Sequence, residues 1–168
     1  AVGYQAGAAM ATNSQSSFFG YQAGLLTTGS GNNFFGAFAG DANTSGTNNV
    51  AMGNLALSAN VDGDDNTAIG SNALRNLEPA DGSSYNTAVG SQAGLAVTTG
   101  TSNTLIGGLA GDNITSGSGN IIIGDSNGQS SVVNHQIIIG NQLSAIGQDN
   151  FTFGRSTLDS NIAFGATS

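Results

Sequence analysis

The chain has 168 residues, of which 27 are Gly and none is Cys, and its formal net charge is −8. Without Cys the chain can form neither disulfides nor thiolate metal sites. Arg75 and Arg155 are the only basic residues, which argues against binding to nucleic acid or to an anionic membrane surface. No apolar run approaches the length of a transmembrane helix, so we expect no membrane insertion.

A short motif of two or three apolar residues followed by Gly recurs along the chain. The glycines that end these motifs are Gly3, Gly20, Gly36, Gly53, Gly70, Gly90, Gly107, Gly124, Gly140, Gly154 and Gly165. They are separated by 17, 16, 17, 17, 20, 17, 17, 16, 14 and 11 residues. No helical repeat family has so short a period, whereas one coil of a solenoid does. We therefore predict an all-β fold, a parallel β-solenoid with one coil per 14–20 residues, forming a single domain over residues 1–168.

Each coil carries a polar residue at one fixed place, four residues before the Gly. This residue is Asn32, Asn49, Asn66, Asn86, Asn103, Asn120, Asn150 or Asn161, with Ser16 and Gln136 in two coils. Stacked coils place such residues about 4.8 Å apart, and Asn side chains at that spacing can hydrogen-bond from coil to coil. Ordinary turn chemistry is the alternative, but the shared phase favours a ladder.

Polar turn clusters close most coils. They are TTGSG at 27–31, NTSG at 43–46, NVDG at 60–63, PADG at 79–82, TTG at 98–100 and TSGSG at 115–119. Short β-branched and aromatic runs bounded by such clusters predict strands. Gly supplies the positive φ that the corners need.

The two residues before each Gly are both apolar in almost every coil, for example Phe34 and Phe35 or Ile122 and Ile123. Successive side chains of a strand point to opposite faces. We expect the residue directly before the Gly, which is always large, to fill the interior, and the one before it to point outward. A strand that is apolar on both faces needs a second buried surface, which predicts a parallel homotrimer. A thicker monomeric solenoid is the alternative.

The units NTAIGSNAL, NTAVGSQAG, NTLIGGLAG and NIIIGDSNG resemble the repeats of bacteriophage tail fibres and bacterial surface fibres, and are similar to those of YadA-like trimeric adhesin heads. The closing stretch DNFTFGRSTLDSNIAFG resembles the segment that joins such repeats to a self-cleaving chaperone domain. The resemblance implies a left-handed β-roll, a trimer and a role in surface attachment at a virion fibre or cell surface. It supplies no ligand residues, and adhesin-head coils are shorter. The chain begins in mid-repeat, so we expect a fragment of a longer fibre.

The longest coil, between Gly70 and Gly90, contains the insert RNLEPADGSSY at 75–85. Loops on rigid scaffolds often carry binding residues. We expect an adhesive segment that binds a cell-surface glycan or receptor, with the side chains of Arg75, Glu78, Asp81 and Tyr85 as contacts. Two alternatives stay open: a tolerated surface loop at the insert, and a passive shaft or spacer role for the whole segment.

Two other classes of function fit the sequence less well. Hexapeptide acyltransferases are trimeric β-helices that use a catalytic His and basic residues for coenzyme A, but His135 is the only His and there is no Lys. No GxSxG elbow is present either, so we expect no enzyme, no catalytic residues and no cofactor. Thr pairs at 27–28 and 98–99 suggest an ice-binding surface as another alternative. Ice binding needs a regular array of Thr residues on one face, and turns of other sequence in the remaining coils interrupt such an array.

The acidic turn VDGDDN could offer the carboxylates of Asp62, Asp64 and Asp65 to Ca²⁺. It lacks the ligand spacing and the terminal Glu of a calcium loop, so a solvated turn is favoured and no metal site is predicted.

Overall fold

A computed structural model describes residues 1–10, 15–79, 82–125, 132–143, 147–155 and 160–162. The strands are β1 (Ser17–Phe19), β2 (Asn33–Phe35), β3 (Val50–Met52), β4 (Gly63–Asp64), β5 (Thr67–Ile69), β6 (Gly82–Ser83), β7 (Thr87–Val89), β8 (Thr104–Ile106), β9 (Ile121–Ile123), β10 (Ile137–Asn141), β11 (Phe151–Arg155) and β12 (Ser160–Ile162). No helix occurs among the described residues.

The coils stack in one long sheet in the order β1-β2-β3-β5-β7-β8-β9-β10-β11-β12. Each coil contributes one three- to five-residue strand to it, and all pairs from β1 to β11 are parallel. The register places equivalent residues above one another, so that Phe34 pairs with Phe18 on one side and Ala51 on the other. We call such a stack of equivalent positions a column. The predicted parallel β-solenoid is confirmed.

The Gly that ends each strand is required twice over. Gly36 has φ +139°, a region that side chains rarely adopt. A Cβ on Gly36 would also lie 2.5 Å from the carbonyl oxygen of Gly53 in the next coil. This column of glycines therefore allows the backbones of adjacent coils to approach at the corner.

The assignment of inside and outside within each strand was wrong. The residue two before the Gly, such as Phe34 or Ile122, is fully buried, whereas the residue directly before it, such as Phe19 at 57 % exposure, faces outward. The interior column consists of Phe18, Phe34, Ala51, Ala68, Ala88, Leu105, Ile122, Ile138 and Thr152. The alternation of a strand separates the two residues but does not say which one is inside. The expectation that both faces are apolar is unaffected.

In five of the coils, the core residue of the strand is matched in size by the residue six positions later. Gly40 faces Phe34, and a Cβ on Gly40 would lie 2.4 Å from Cε2 of that ring. In the next coil the strand residue shrinks to Ala51 and the facing residue becomes Leu57, which is fully buried. The same exchange of large and small is seen in the pairs Phe18 and Gly24, Ala68 and Leu74, and Leu105 and Gly111. Each of these five coils thus places one large side chain in its cross-section, as a close-packed interior requires. In the coil with Ala88 and Gly94 both residues are small, and Leu74 and Leu105 of the neighbouring coils reach the space beside Gly94.

The predicted Asn ladder is confirmed from Asn32 to Gln136. Beyond Gln136, Nδ2 of Asn150 donates instead to the carbonyl oxygen of Gln148 in its own turn, and the side chain of Asn161 lies outside the described residues. The Asn column from Asn32 to Asn120 is buried, and each Oδ1 accepts the backbone N–H of the column residue in the next coil at 2.9 to 3.1 Å. The Nδ2 groups of Asn49 and Asn103 donate to the carbonyl oxygens of Gly63 and Gly117 at 2.8 and 2.9 Å. These bonds satisfy buried polar groups at the corner, where strand pairing ends.

A second, shorter amide ladder was not anticipated from the sequence. Asn43 and Asn60 open two of the turn clusters, and both side chains are fully buried. Nδ2 of Asn60 donates to Oδ1 of Asn43 at 2.9 Å and to the carbonyl oxygen of Gly63 at 3.0 Å. In later coils the fully buried residues Leu77, Val97 and Ile114 occupy this column, so the corner changes from polar to apolar.

The end of the chain departs from the repeat. The motif ending at Gly165 predicted one more coil, but β12 pairs antiparallel with β11, with Phe151 opposite Ile162. A step of 11 residues is too short for a coil that elsewhere needs 14 to 20, so the chain turns back. Gly165 itself lies outside the described residues.

Candidate functional site

The outward side of the long sheet carries a continuous column of apolar side chains. This column lies directly before the Gly, and a second column lies two residues before the first. We call the two columns together the outer sheet face. The first column is Val2, Phe19, Phe35, Met52, Ile69, Val89, Ile106, Ile123, Ile139 and Phe153, and its side chains are exposed or half-buried. Phe19 and Phe35 stack with ring centroids 6.5 Å apart. A continuous exposed apolar surface marks an interaction site more often than scattered apolar residues do.

The second column changes in character along the solenoid. It consists of Ser17, Asn33, Val50, Thr67, Thr87, Thr104, Ile121, Ile137 and Phe151. Although the chain carries a net charge of −8, neither column contains a charged residue. The charges therefore lie on other surfaces, and the outer sheet face becomes more apolar towards β11.

The described side chains of the insert at 75–85 that were predicted to contact a ligand lie on the surface but do not contact one another. Arg75 and Glu78 are exposed and Tyr85 is 61 % exposed, while Asp81 lies outside the described residues. Within the described residues of the insert, no hydrogen bond, ion pair or ring contact links these three side chains. The longer coil also forms a small second sheet, in which Gly82 pairs with Gly63. The insert is thus attached to the solenoid.

The acidic turn uses two of its three carboxylates to hold adjacent coils together. Oδ1 of Asp64 accepts the backbone N–H of Thr47 at 2.6 Å and its hydroxyl at 2.9 Å. Oδ2 of Asp65 accepts the hydroxyl of Ser83 at 2.8 Å. Among the described residues, no group of three or more His, Asp or Glu side chains is placed to hold a metal ion.

Two pairs of carboxylates face each other from different coils. Burial and then the neighbouring Asp62 raise the pKa of Glu78 above its ordinary 4.5. Burial and then Asp125 raise the pKa of Asp112 above its ordinary 3.8, although a backbone hydrogen bond at Asp112 opposes the shift. Ionisation of these groups therefore opposes folding.

Asp112→Asn is expected to stabilise the chain at pH 7 and to leave its stability unchanged at pH 3. The folded chain binds the Asp112 proton more tightly than the unfolded chain does. The destabilisation caused by ionised Asp112 is therefore absent below the ordinary pKa of 3.8, and it appears as the pH rises through the raised pKa of the folded chain. Because the carboxylate is partly exposed, we expect a gain below about 1 kcal/mol, or less than about 4 °C in Tm. Thermal unfolding at both pH values measures this, and an equal change at both would contradict it.

His135 lies on an exposed corner beside Asp149. Its Nδ1 is 3.3 Å from Oδ1 of Asp149 in the following coil, and both side chains are 70 % exposed. Its ring also covers Gly119, where a Cβ would lie 2.7 Å from Cδ2. The contact between His135 and Asp149 thus links the side chains of two adjacent coils at the surface.

The Thr pairs do not form a double row on the surface. Thr27 is fully buried, and only its neighbour Thr28 is exposed. In the other pair, Thr98 is half-buried and its hydroxyl donates to the carbonyl oxygen of Thr115 at 3.3 Å. Each pair thus presents one exposed Thr, Thr28 or Thr99.

The described part of the chain contains no helix that could span a lipid bilayer.

Comparison with known proteins identifies no relative of this chain. Models of protein families, curated proteins and solved structures all give no match to the chain. Its function must therefore be argued from the surfaces described above.

Proposed function

We propose that this chain is a segment of an extracellular fibre, a left-handed β-solenoid that assembles as a parallel homotrimer and binds a cell-surface glycan. The observation that carries the proposal is the outer sheet face, which has one column that is apolar throughout and no charged residue, in a chain with a net charge of −8. The resemblance of its repeats to those of tail fibres and trimeric adhesin heads supports the same assembly.

The outer sheet face extends along the stacked coils from Val2 to Phe153. The first column has ten members, from Val2 to Phe153, and nine steps of about 4.8 Å give a length of about 43 Å. Two columns about 7 Å apart make an uncharged strip of roughly 300 Å² per chain. Identical chains aligned about a threefold axis parallel to the solenoid would cover it.

The binding role follows from exposed side chains repeated three times. Tyr85 can stack on a sugar ring, while Arg75 and Glu78 can hydrogen-bond sugar hydroxyl groups. Three copies on one rigid fibre would convert weak contacts into strong attachment through avidity. A passive spacer is the competing function, since rigid stacked coils alone would serve it.

The test combines light scattering with binding to a glycan array and to whole cells. We expect the mass of three chains, and a mass near 16.5 kDa would refute the trimer. Substitution of Arg75, Glu78 and Tyr85 together by Ala should weaken binding to the array or to cells. Substituting these three exposed side chains leaves the fully buried Leu77 in place.

A matched control replaces the exposed residues Asn54, Ser71 and Thr99 by Ala, which should leave binding intact. Binding that persists in the Arg75, Glu78 and Tyr85 variant would exclude the insert as the contact surface. If the parent chain binds no glycan and no cell, the passive spacer is the better description.

A further inference from the structure

A notch opens in the surface where a side chain is missing. The column directly after the Gly contains Tyr4, Tyr21, Ala37, Asn54, Ser71, Ser91, Gly108, Asp125 and Asn141. At Gly108 this leaves a cavity of about 400 Å³, lined by Ser91, Gln92, Gly108, Leu109 and Asp125. This volume lies in the range of small-molecule sites, about 300 to 1,000 Å³.

Gly108 is not required by the fold. Each of the other described glycines has a positive φ, or a neighbour that a Cβ would approach too closely. Gly100, for example, lies where a Cβ would be 2.3 Å from the carbonyl oxygen of Gly117. A Cβ on Gly108 would meet only the carbonyl oxygen of Ser91, at 4.0 Å, and its φ is not in the positive region. The fold thus accepts a side chain here, and its absence leaves open space.

The lining has the chemistry that recognises a sugar ring. Ser91 and Asp125 are exposed at the two ends of the notch, and Gln92 adds an amide, so donors and acceptors are both present. Leu109 is 39 % exposed and offers an apolar surface to the C–H face of a ring. Asp112 lies close enough to Asp125 for the two carboxylates to repel each other. This negative charge disfavours anionic sugars.

We propose that the notch at Gly108 binds one ring of a neutral glycan, with Asp125 and Gln92 hydrogen-bonding its hydroxyl groups and Leu109 packing against its C–H face. This site rests on the proposed adhesive function and is separate in sequence from the 75–85 insert. Three copies would be present in the trimer.

Gly108→Tyr fills the notch with a residue that the same column already accepts at Tyr4 and Tyr21. We expect an unchanged Tm and a loss of binding to an array of oligosaccharides that end in neutral hexoses or N-acetylhexosamines, by at least about tenfold. Asn54→Tyr makes the same change in the same column away from the notch, and should retain binding. Asp125→Asn keeps the shape of the notch and should weaken binding without a change in Tm.

The outcomes separate this site from the adhesive function. If the parent chain binds the neutral array and Gly108→Tyr binds equally well, the notch is excluded while the adhesive function stands. Binding of the parent only to acidic sugars, or to cells but to no sugar on the array, also overturns the notch. A parent that binds neither array nor cells overturns both proposals.

Discussion

Ile122→Asp is expected to unfold the chain, whereas Ile123→Asp is expected to leave it folded and to separate the proposed trimer into single chains. Ile122 is fully buried, and an unpaired carboxylate in its place costs several kcal/mol in addition to the lost apolar packing. That total is comparable to the whole stability of a domain. Ile123 is 38 % exposed on the outer sheet face, so Asp there is tolerated within one chain. About a threefold axis, however, it would place three like charges together.

Circular dichroism and light scattering distinguish the two results. Ile122→Asp should lose the β signal, while Ile123→Asp should keep it and give a mass near 16.5 kDa. Thr99→Asp adds the same charge at an exposed turn and should change neither measurement. If Ile123→Asp retains the mass of three chains, the outer sheet face is not the interface.

Asn103→Leu should destabilise the chain by about 3 to 5 kcal/mol, because Leu keeps the volume but removes a rung of the ladder. Oδ1 of Asn103 accepts the backbone N–H and Nδ2 of Asn120 at 3.0 and 2.9 Å. Its Nδ2 donates to Oδ1 of Asn86 at 3.1 Å and to the carbonyl oxygen of Gly117 at 2.9 Å. Because these groups are buried, water cannot replace the lost partners. Urea unfolding measures the change.

Asn54→Leu is the matched control for the ladder. Nδ2 of Asn54 also reaches the preceding coil, donating to the carbonyl oxygen of Ala37 at 3.2 Å, but the bond is exposed. Water can replace it, so we expect a change within about 0.5 kcal/mol. If the two variants lose the same free energy of unfolding, burial does not determine how much the ladder bonds stabilise the chain.

The repeat and the Asn ladder could be predicted from sequence because both depend on phase alone. In most coils an Asn lies four residues before the Gly. The Gly marks a corner and the Asn marks a stacked column, and neither inference depends on how the interior is packed. The two apolar residues before the Gly carry no such information, since either could be inside. A signal was present in the exchange of Phe34 and Gly40 for Ala51 and Leu57 one coil later. Only residues that share one interior need to conserve volume together.

The candidate surfaces were harder to predict than the coil. The length of their coil points to Arg75 and Tyr85 as binding residues. The structure places both side chains on the surface without contact between them. The notch at Gly108 could not be found in this way, because its Gly is one of 27. Distinguishing it requires φ and the distance to the next coil, which are properties of the folded chain.

The direction of the hydrogen bonds between coils determines how the solenoid responds to tension along its axis. The strands lie across the solenoid axis, so the bonds that join neighbouring coils run along it. A pull between the two ends loads these bonds in series, and the coils detach in succession. Each coil that opens frees about 17 residues, which span roughly 56 Å when extended in place of a step of about 4.8 Å. A shaft built in this way lengthens under force by an order of magnitude per coil before its ends disconnect.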